Sequence, residues 1–283
     1  MSSNPPAKND KLKENLQINP IMKTALVTGA SSGIGATFAQ ELANCQYNLV
    51  LVARSQDKLQ QLAQQLEKDY QIQTEVLSQN LTEPNAPQTL FETITAKGIN
   101  IDLLINNAGF GDYGLFANSS LTRQLEMIQL NISALVALTH LFLTPMRQQG
   151  EGGIINVSSI AGFQPIPYMS IYAATKAFVL NFSEALWEEN QDAGVTVTCV
   201  CPGPKETEFF VKANFPNSIT ESSQQNYTSP EEVVKATLNA FQQKRAHIVP
   251  GGFPNQLIAN LPRFLPRETL VKAVAQQFRP KNK

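Results

Sequence analysis

Thr24-Ala25-Leu26-Val27-Thr28-Gly29-Ala30-Ser31-Ser32-Gly33-Ile34-Gly35 decides how the chain folds. It opens with a short apolar run of strand length, and Phe38, Leu42 and Cys45 then recur at helical spacing. The stretch reads as strand, glycine-rich turn and helix. Gly29 permits a tight turn, Gly33 lets backbone approach a pyrophosphate, and Gly35 lets helix and strand pack closely. The helix N-terminal amides then face the phosphates, with Ser31, Ser32 and Ile34 in the same cradle. The spacing is G-x-x-x-G-x-G rather than G-x-G-x-x-G, so by itself the turn is compatible with a dinucleotide without requiring one.

Outward from this unit, strand-like and helical stretches alternate. Asn48 to Ala53 is a second strand and delivers Arg54 to its carboxyl end, with no acid until Asp57. An acid there would bind a ribose 2′-hydroxyl, whereas an arginine suits a 2′-phosphate, so the cofactor expected is NADP(H). A third strand, Thr74 to Leu77, ends near Asn80-Leu81, and a fourth, Ile101 to Ile105, runs into Asn106-Asn107-Ala108-Gly109. Asparagines in a turn commonly tie up local backbone, but this place at a strand's end makes Asn107, Ala108 and Gly109 a candidate cofactor wall. Leu121 to Met146 is helical and carries Asn131. Gly153 to Val157 is a strand ending in Ser158-Ser159, and Val195 to Val200 is another, followed by Pro202-Gly203-Pro204. Six such alternations imply right-handed crossovers and an α/β, Rossmann-like doubly wound parallel sheet. The domain spans 21–250, between a polar leader (1–20) expected to be disordered and a short C-terminal helical extension (251–283).

The chemistry concentrates in Ser159 to Lys176. Tyr172 and Lys176 are four residues apart on a helical segment, so phenol and ammonium share a face. A free tyrosine has a pKa of about 10 and exchanges protons poorly at neutral pH unless its phenolate is stabilised. Lys176 is expected to lower that pKa, and Ser159 to steady a carbonyl oxygen. Alone, Tyr-x-x-x-Lys has an ordinary reading as a helix after a polar turn. Tyr168 is a decoy, because four residues on from it stands Tyr172.

With 22 basic and 23 acidic side chains, the formal charge of −1 offers no field for nucleic acid. Cys199 and Cys201 read as core thiols in a reducing compartment, and no metal-ligand spacing occurs. Residues 1–20 lack an apolar signal region, so a cytoplasmic location is expected. The apolar run Ile132 to Met146 is interrupted by polar residues and short of the ~20 residues a spanning helix needs. Phe110, Tyr113, Phe163, Ile166, Tyr168, Phe209, Phe210 and Phe215 would rim the strand ends, with few ionic groups besides Asp112, Lys205, Glu206, Glu208 and Lys212. That favours an apolar carbonyl or alcohol substrate. In the extension, Leu270, Val271, Val274 and Phe278 form a stripe among six basic residues and one acid. Docking of this stripe on the domain is favoured over contact with an anionic membrane, because Pro262 and Pro266 confine the helix.

Thr28-Gly29-x-x-x-Gly33-x-Gly35, Asn106-Asn107-Ala108-Gly109, Asn131, Ser159, Tyr172-x-x-x-Lys176 and Pro202-Gly203 together resemble the short-chain dehydrogenase/reductase family, over about Met22 to Val249. The resemblance implies hydride exchange between a nicotinamide cofactor and a carbonyl or alcohol. It implies Tyr172 as acid/base, Ser159 as carbonyl binder, and Lys176 as partner of both phenol and nicotinamide ribose. It implies Asn131 as an amide holding a water behind the lysine, and Pro202, Gly203 and Thr207 as the turn meeting the carboxamide. It also implies pairing of copies, as a homodimer or homotetramer, through the helices bearing Asn131 and Tyr172. Asn80-Leu81 departs from the usual Asp-Val or Asp-Leu, which weakens one adenine contact. A non-catalytic NADP-binding regulator would leave the tetrad idle. A sugar-nucleotide epimerase or dehydratase would share Tyr-x-x-x-Lys but carry a different glycine turn and a larger C-terminal domain.

Overall fold

In β1 (Thr24–Thr28) and β2 (Asn48–Ala53) nearly every residue is buried, as happens when a strand is covered on both faces. The computed structural model describes residues 22–203, 209, 213–216 and 228–280; the leader lies outside them. β3 (Thr74–Ser78), β4 (Leu103–Asn106), β5 (Gly152–Val157), β6 (Val195–Val200) and β7 (His247–Ile248) complete a seven-stranded sheet ordered β3-β2-β1-β4-β5-β6-β7. All pairings are parallel, with Val27 against Leu51 on one side and Ile105 on the other. The fold is α/β and Rossmann-like. β7, two residues long, has no sequence periodicity of its own and is the strand that the count of six alternations omits.

Alternation of side chains along each strand supplies two cores. Val27, Leu49, Leu51, Ile105 and Ile155 pack on one face with Phe38 and Leu42 of α1 (Gly33–Asn44), Leu59 of α2 (Gln56–Tyr70) and Val233 of the helix Pro230–Gln242. Leu26, Val50, Val52, Leu104 and Ile154 pack on the other with Leu90 and Ile94 of α3 (Ala86–Ala96) and with Leu138, Phe142 and Met146. The chain winds outward from β1 through β2 to β3, then returns to β4 beside β1. This reversal opens a crevice at the carboxyl ends of β1 and β4, where a doubly wound sheet binds its ligand.

The helix that closes the second face is α4 (Leu121–Ile128), a π turn (Gln129–Ala134) and α5 (Leu135–Gln149) in succession. Its 29 residues are long and apolar enough to cross a membrane by length and composition, which corrects the expectation that the apolar run is too short. The polar residues that interrupt the run do not interrupt the helix. Leu138, Phe142 and Met146 are nonetheless buried against the sheet, so this helix covers a core. β5 leads through a 3₁₀ turn (Ile160–Phe163) to α6 (Ser170–Glu189).

With Pro230–Gln242 as α7, the extension consists of α8 (Gly252–Asn260), a 3₁₀ turn (Leu261–Arg263) and α9 (Arg267–Phe278). Leu270 and Val274 of α9 are buried beside Ala161, Ile166, Met169 and Tyr172, with Phe278 at their edge. The Tyr113 hydroxyl donates to the Phe278 carbonyl at 2.6 Å. The stripe is docked, as its shortness suggested. Removing buried methyls from Leu270 (6% exposed) by Leu270→Ala should cost about 2–3 kcal/mol locally, read as roughly thirty-fold or greater acceleration of amide exchange across α9. Leu257→Ala, at an exposed site of α8, should change α9 exchange less than about two-fold.

Candidate active site

At the crevice, β1 and β4 are fastened by one hydroxyl. Thr28 Oγ1 donates to the Ile105 carbonyl at 3.1 Å and accepts from the amides of Asn107 and Ala108, both at 3.0 Å. Asn107 adds a second tie, its Nδ2 donating to the carbonyls of Thr28 at 2.9 Å and Gly29 at 3.3 Å. Its amide thus braces the glycine turn. Gly29 has φ +66° and Gly33 φ +55°, both left-handed, which glycine adopts without steric penalty. A Cβ on Gly35 would collide with the Gly29 carbonyl. Ser32 precedes α1 without capping it by its side chain, and the first turn holds no acid. The helix N-terminal amides there, beside half-buried Ser31, Ser32 and Ile34, suit an anion.

Arg54 lies exposed at the end of β2, and its guanidinium makes no ion pair among the described residues. Asn80 is engaged locally: Oδ1 accepts from Thr82 N and Oγ1, and Nδ2 donates to Glu83 Oε1. Leu81 is buried in the core under α3. The sequence reading placed both residues against the cofactor; in the structure their side chains are turned into the loop and the core, which leaves the main chain for that contact.

β5 and α6 assemble the chemical groups. Ser158 Oγ donates to the Lys176 carbonyl at 2.7 Å, tying strand to helix, so the residue one place early is structural. Ser159 instead begins the 3₁₀ turn, accepting from Ala161 N at 3.1 Å, and its hydroxyl is near enough to the Tyr172 phenol to lower the phenol's pKa. Tyr172 is buried, and desolvation of the phenolate pushes its pKa up to about 12, against the lowering effect of Ser159. Lys176 is buried as well, and desolvation brings it down to about 8, while the nearby Cys199 and Cys201 act in the opposite direction. Its Nζ donates to the Val157 carbonyl at 2.8 Å and stands 5.8 Å from the centre of the Tyr172 ring.

This corrects the expectation of a phenol acidified by its lysine. Burial dominates the phenol, Ser159 is the influence that lowers it, and the lysine ammonium is held by a strand carbonyl and is itself lowered by burial.

Asn131 sits in the π turn, buried, and links three segments. Its Oδ1 accepts from Phe110 N at 3.1 Å, and its Nδ2 donates to Phe110 O at 3.0 Å and Thr175 Oγ1 at 3.1 Å. With both amide hydrogens spent, the side chain has none to donate to a water. It positions the loop after Gly109 against α6, and a Cβ on Gly109 would approach Asn131 Oδ1 to 2.9 Å and Lys176 Nζ to 3.5 Å.

Around Tyr172 the lining is apolar. Phe209 lies 5.5 Å from its ring, Tyr113 stacks with Tyr168 at 5.8 Å and meets Phe215 at 4.8 Å, and Ile166 and Phe110 join the same cluster. Two expected rim residues behave otherwise. Phe163 packs in a separate cluster with Leu135, Val179 and Val249. Asp112 is engaged by Arg123 at 2.8 Å, Gln124 at 2.7 Å and Asn214 at 3.1 Å, clipping the loop to α4 instead of facing a substrate. Thr207, with Lys205, Glu206, Glu208, Phe210 and Lys212, falls outside the described residues. Pro202 and Gly203 are buried, and Pro202 O accepts from Ile160 N at 2.9 Å.

Sequence reasoning missed Thr28 as the clamp, Thr175 as the partner of Asn131, and Asn255. The Asn255 side chain donates to Pro250 O at 2.8 Å. A Cβ on Gly203 would lie 2.5 Å from it. A threonine ending a buried strand and an asparagine inside an apolar helix were the available signals. Among the described residues no cluster of three or more histidines, cysteines or acids could hold a metal. The glycine cradle, the helix N-terminus and Arg54, which makes no ion pair among the described residues, fit a phosphorylated dinucleotide.

A sequence profile of the family described as short chain dehydrogenase matches residues 23–218. Very-long-chain 3-oxoacyl-CoA reductase of Bos taurus is 32% identical over 250 residues, covering 86% of this chain and 75% of that protein. A short-chain dehydrogenase from Sphingobium yanoikuyae, solved in complex with NADPH, superposes with a TM-score of 0.76 at 32% identity, covering 87% of this chain and 97% of that one. The bulky-bulky ketone specific alcohol dehydrogenase of Comamonas testosteroni superposes with a TM-score of 0.72 at 31% identity, covering 87% and 96%.

The clamp at the crevice is open to test. Thr28→Val keeps the shape but strands the amides of Asn107 and Ala108, and should cost about 2–4 kcal/mol in urea unfolding. Thr28→Ser should recover most of it.

Proposed function

We propose that this chain, which belongs to the short-chain dehydrogenase family, uses NADPH to reduce an apolar ketone or an oxoacyl compound. The observation that carries the reading is the buried Tyr172 phenol, with Ser159 at the carboxyl end of β5 near enough to lower its pKa and Lys176 one helical turn away. Bound in the crevice, NADPH supplies the hydride. The protein's own contribution is to place the carbonyl oxygen and to deliver a proton to it.

Ser159 and Tyr172 both direct hydroxyls at that oxygen. A phenol with a pKa near 12 is fully protonated at neutral pH, so it is stocked to donate as negative charge develops on the oxygen. Donation to an alkoxide, whose conjugate acid is weaker still, runs downhill, which favours the reductive direction. Lys176, charged below about 8, keeps a positive charge one helical turn from the phenol and would hold the nicotinamide ribose. Asn131 acts at one remove, as a positioning residue that holds Gly109 against α6. Arg54 is the 2′-phosphate clamp, consistent with the NADPH in the Sphingobium relative. The apolar cluster around Tyr172 and the oxoacyl and bulky-ketone substrates in the relatives' names support the same substrate class. Pairing of copies belongs to this reading too, since Leu121 and Leu125 on α4 and Phe178 on α6 are exposed apolar side chains on the two helices concerned.

Tyr172→Phe should lower turnover at least about a thousand-fold while leaving NADPH affinity within a few-fold, by stopped-flow reduction and fluorescence titration. Turnover near that of the native protein would refute the mechanism. For pH, Lys176 is protonated below its depressed pKa and neutral above it, so kcat/KM for reduction should be flat near neutrality and fall about tenfold per unit above roughly pH 8. Arg54→Asp should weaken NADPH by about 2–4 kcal/mol, through a lost ion contact and a new repulsion, and NADH far less. Equal affinity of the native protein for both cofactors would remove the assignment.

A further inference from the structure

We infer that α8 and the turn after it form a docking surface for an anionic lipid membrane. α8 is amphipathic in the reverse of the usual sense. Asn255 and Ala259 face inward and are buried, whereas Phe253 is 75% exposed, Leu257 50%, Leu261 43% and, just beyond, Phe264 81%. Phe253, Leu257 and Leu261 recur every fourth residue and share one face. Ile258 widens it. A soluble helix ordinarily turns such a stripe to the core; here the core side is fixed by the polar Asn255, whose amide donates to Pro250 O and lies against Gly203.

The charge around the patch selects the occupant. Arg263 and Arg267 are exposed at its end and make no ion pair among the described residues. Within 251–280 the basic residues are Arg263, Arg267, Lys272 and Arg279, against the single acid Glu268, in a chain whose formal charge is −1. Positive charge is thus local to this end of the molecule. Exposed aromatic and leucine side chains beside unpaired arginines match the interface of an anionic bilayer, with rings among the acyl chains and guanidinium groups at phosphates.

A second copy fits less well. A two-fold contact sets a patch against itself, so the same arginines would be brought together. The exposed apolar surface is also only roughly 600 Å², below the ~800 Å² per partner of a standard interface. The patch borders a cavity of about 800 Å³ whose wall includes Ile166, Ala173, Pro262, Arg263 and Leu270, so a bilayer-dissolved molecule at the patch would meet an opening lined in part by the apolar cluster around Tyr172. The surface α9 once offered as an alternative is spent on the domain, and the membrane contact falls to α8.

The test uses the full chain and flotation with vesicles of phosphatidylcholine alone or mixed with phosphatidylglycerol, at low and high salt. The native protein is expected to float with the mixed vesicles at low salt and to be released by high salt. Phe253→Ser with Phe264→Ser, two exposed sites away from the active site, should reduce the bound fraction at least about tenfold. Carbonyl reduction in the absence of vesicles should stay unchanged, which keeps the outcome separate from that of the reductase reading. Arg263→Gln with Arg267→Gln should abolish the preference for phosphatidylglycerol. Native protein that stays unbound with both vesicles, or binding that survives the double serine change, would overturn the proposal. So would a light-scattering mass that falls to one chain in the serine variant, which would make the patch a contact between copies.

Discussion

The site depends on a constraint at the point where the sheet reverses direction. β1 and β4 lie side by side, yet the chain leaves each of them towards opposite edges, so their carboxyl ends must hold a crevice open without closing it by their own connections. Thr28 does this with one hydroxyl that donates once and accepts twice. Asn107 reaches back to the carbonyls of Thr28 and Gly29. The glycine turn and the Asn106–Gly109 loop are therefore tied to one another at the switch point, where a doubly wound sheet binds its ligand. From Gly109 the order passes through Asn131 to Thr175 and so to the helix of Tyr172 and Lys176. Two hydroxyls and two amides thus connect the phosphate end of the crevice to its chemical end.

Desolvation then acts on the chemical end with opposite signs on its two ionisable groups. Burial raises the phenol and lowers the ammonium, and both shifts move the pair towards the uncharged state. An acid kept protonated at neutral pH is of use to a reductase, because charge needs to appear only as the substrate oxygen becomes basic. Ser159, which lowers the pKa of that phenol, is itself held by the adjacent 3₁₀ turn that it caps. The apolar cluster that desolvates Tyr172 also lines its surroundings, so a single packing decision sets both the pKa and the apolar character of the walls.

Much of this was legible in the sequence where the signal is local. Buried parallel strands read as continuous apolar runs, left-handed turn positions read as glycine, and Tyr172 and Lys176 announce themselves by helical spacing. What escaped depends on partners distant in the chain. Nothing around Asp112 in sequence says that Asn214 will bind it, and nothing around Phe163 says that it will pack with Leu135 and Val179 while Phe209 packs beside Tyr172. The fate of Asn131 required knowing that a π turn would aim its amide at Phe110 and Thr175. The raised pKa of the phenol required a depth of burial that no spacing encodes. β7, paired at only two residues, takes its place from Cys199 and Val200 on β6 rather than from any preference of its own.

The extension shows the same division between local pattern and distant partner. Its two helices carry stripes of similar character, and hydropathy alone assigns both to the interior. α9 can dock because Tyr113, on the loop after β4, offers a hydroxyl to the end of the helix while Leu270 and Val274 find Ile166 and Met169. α8 cannot do the same, because its orientation is fixed from the other side. Asn255 donates to Pro250 O and fits where Gly203 leaves no Cβ, and turning the helix to bury Phe253 would withdraw that amide from the Pro250 carbonyl. The polar contact holds the helix because the buried Pro250 carbonyl, left without the Asn255 amide, would cost about 1–3 kcal/mol.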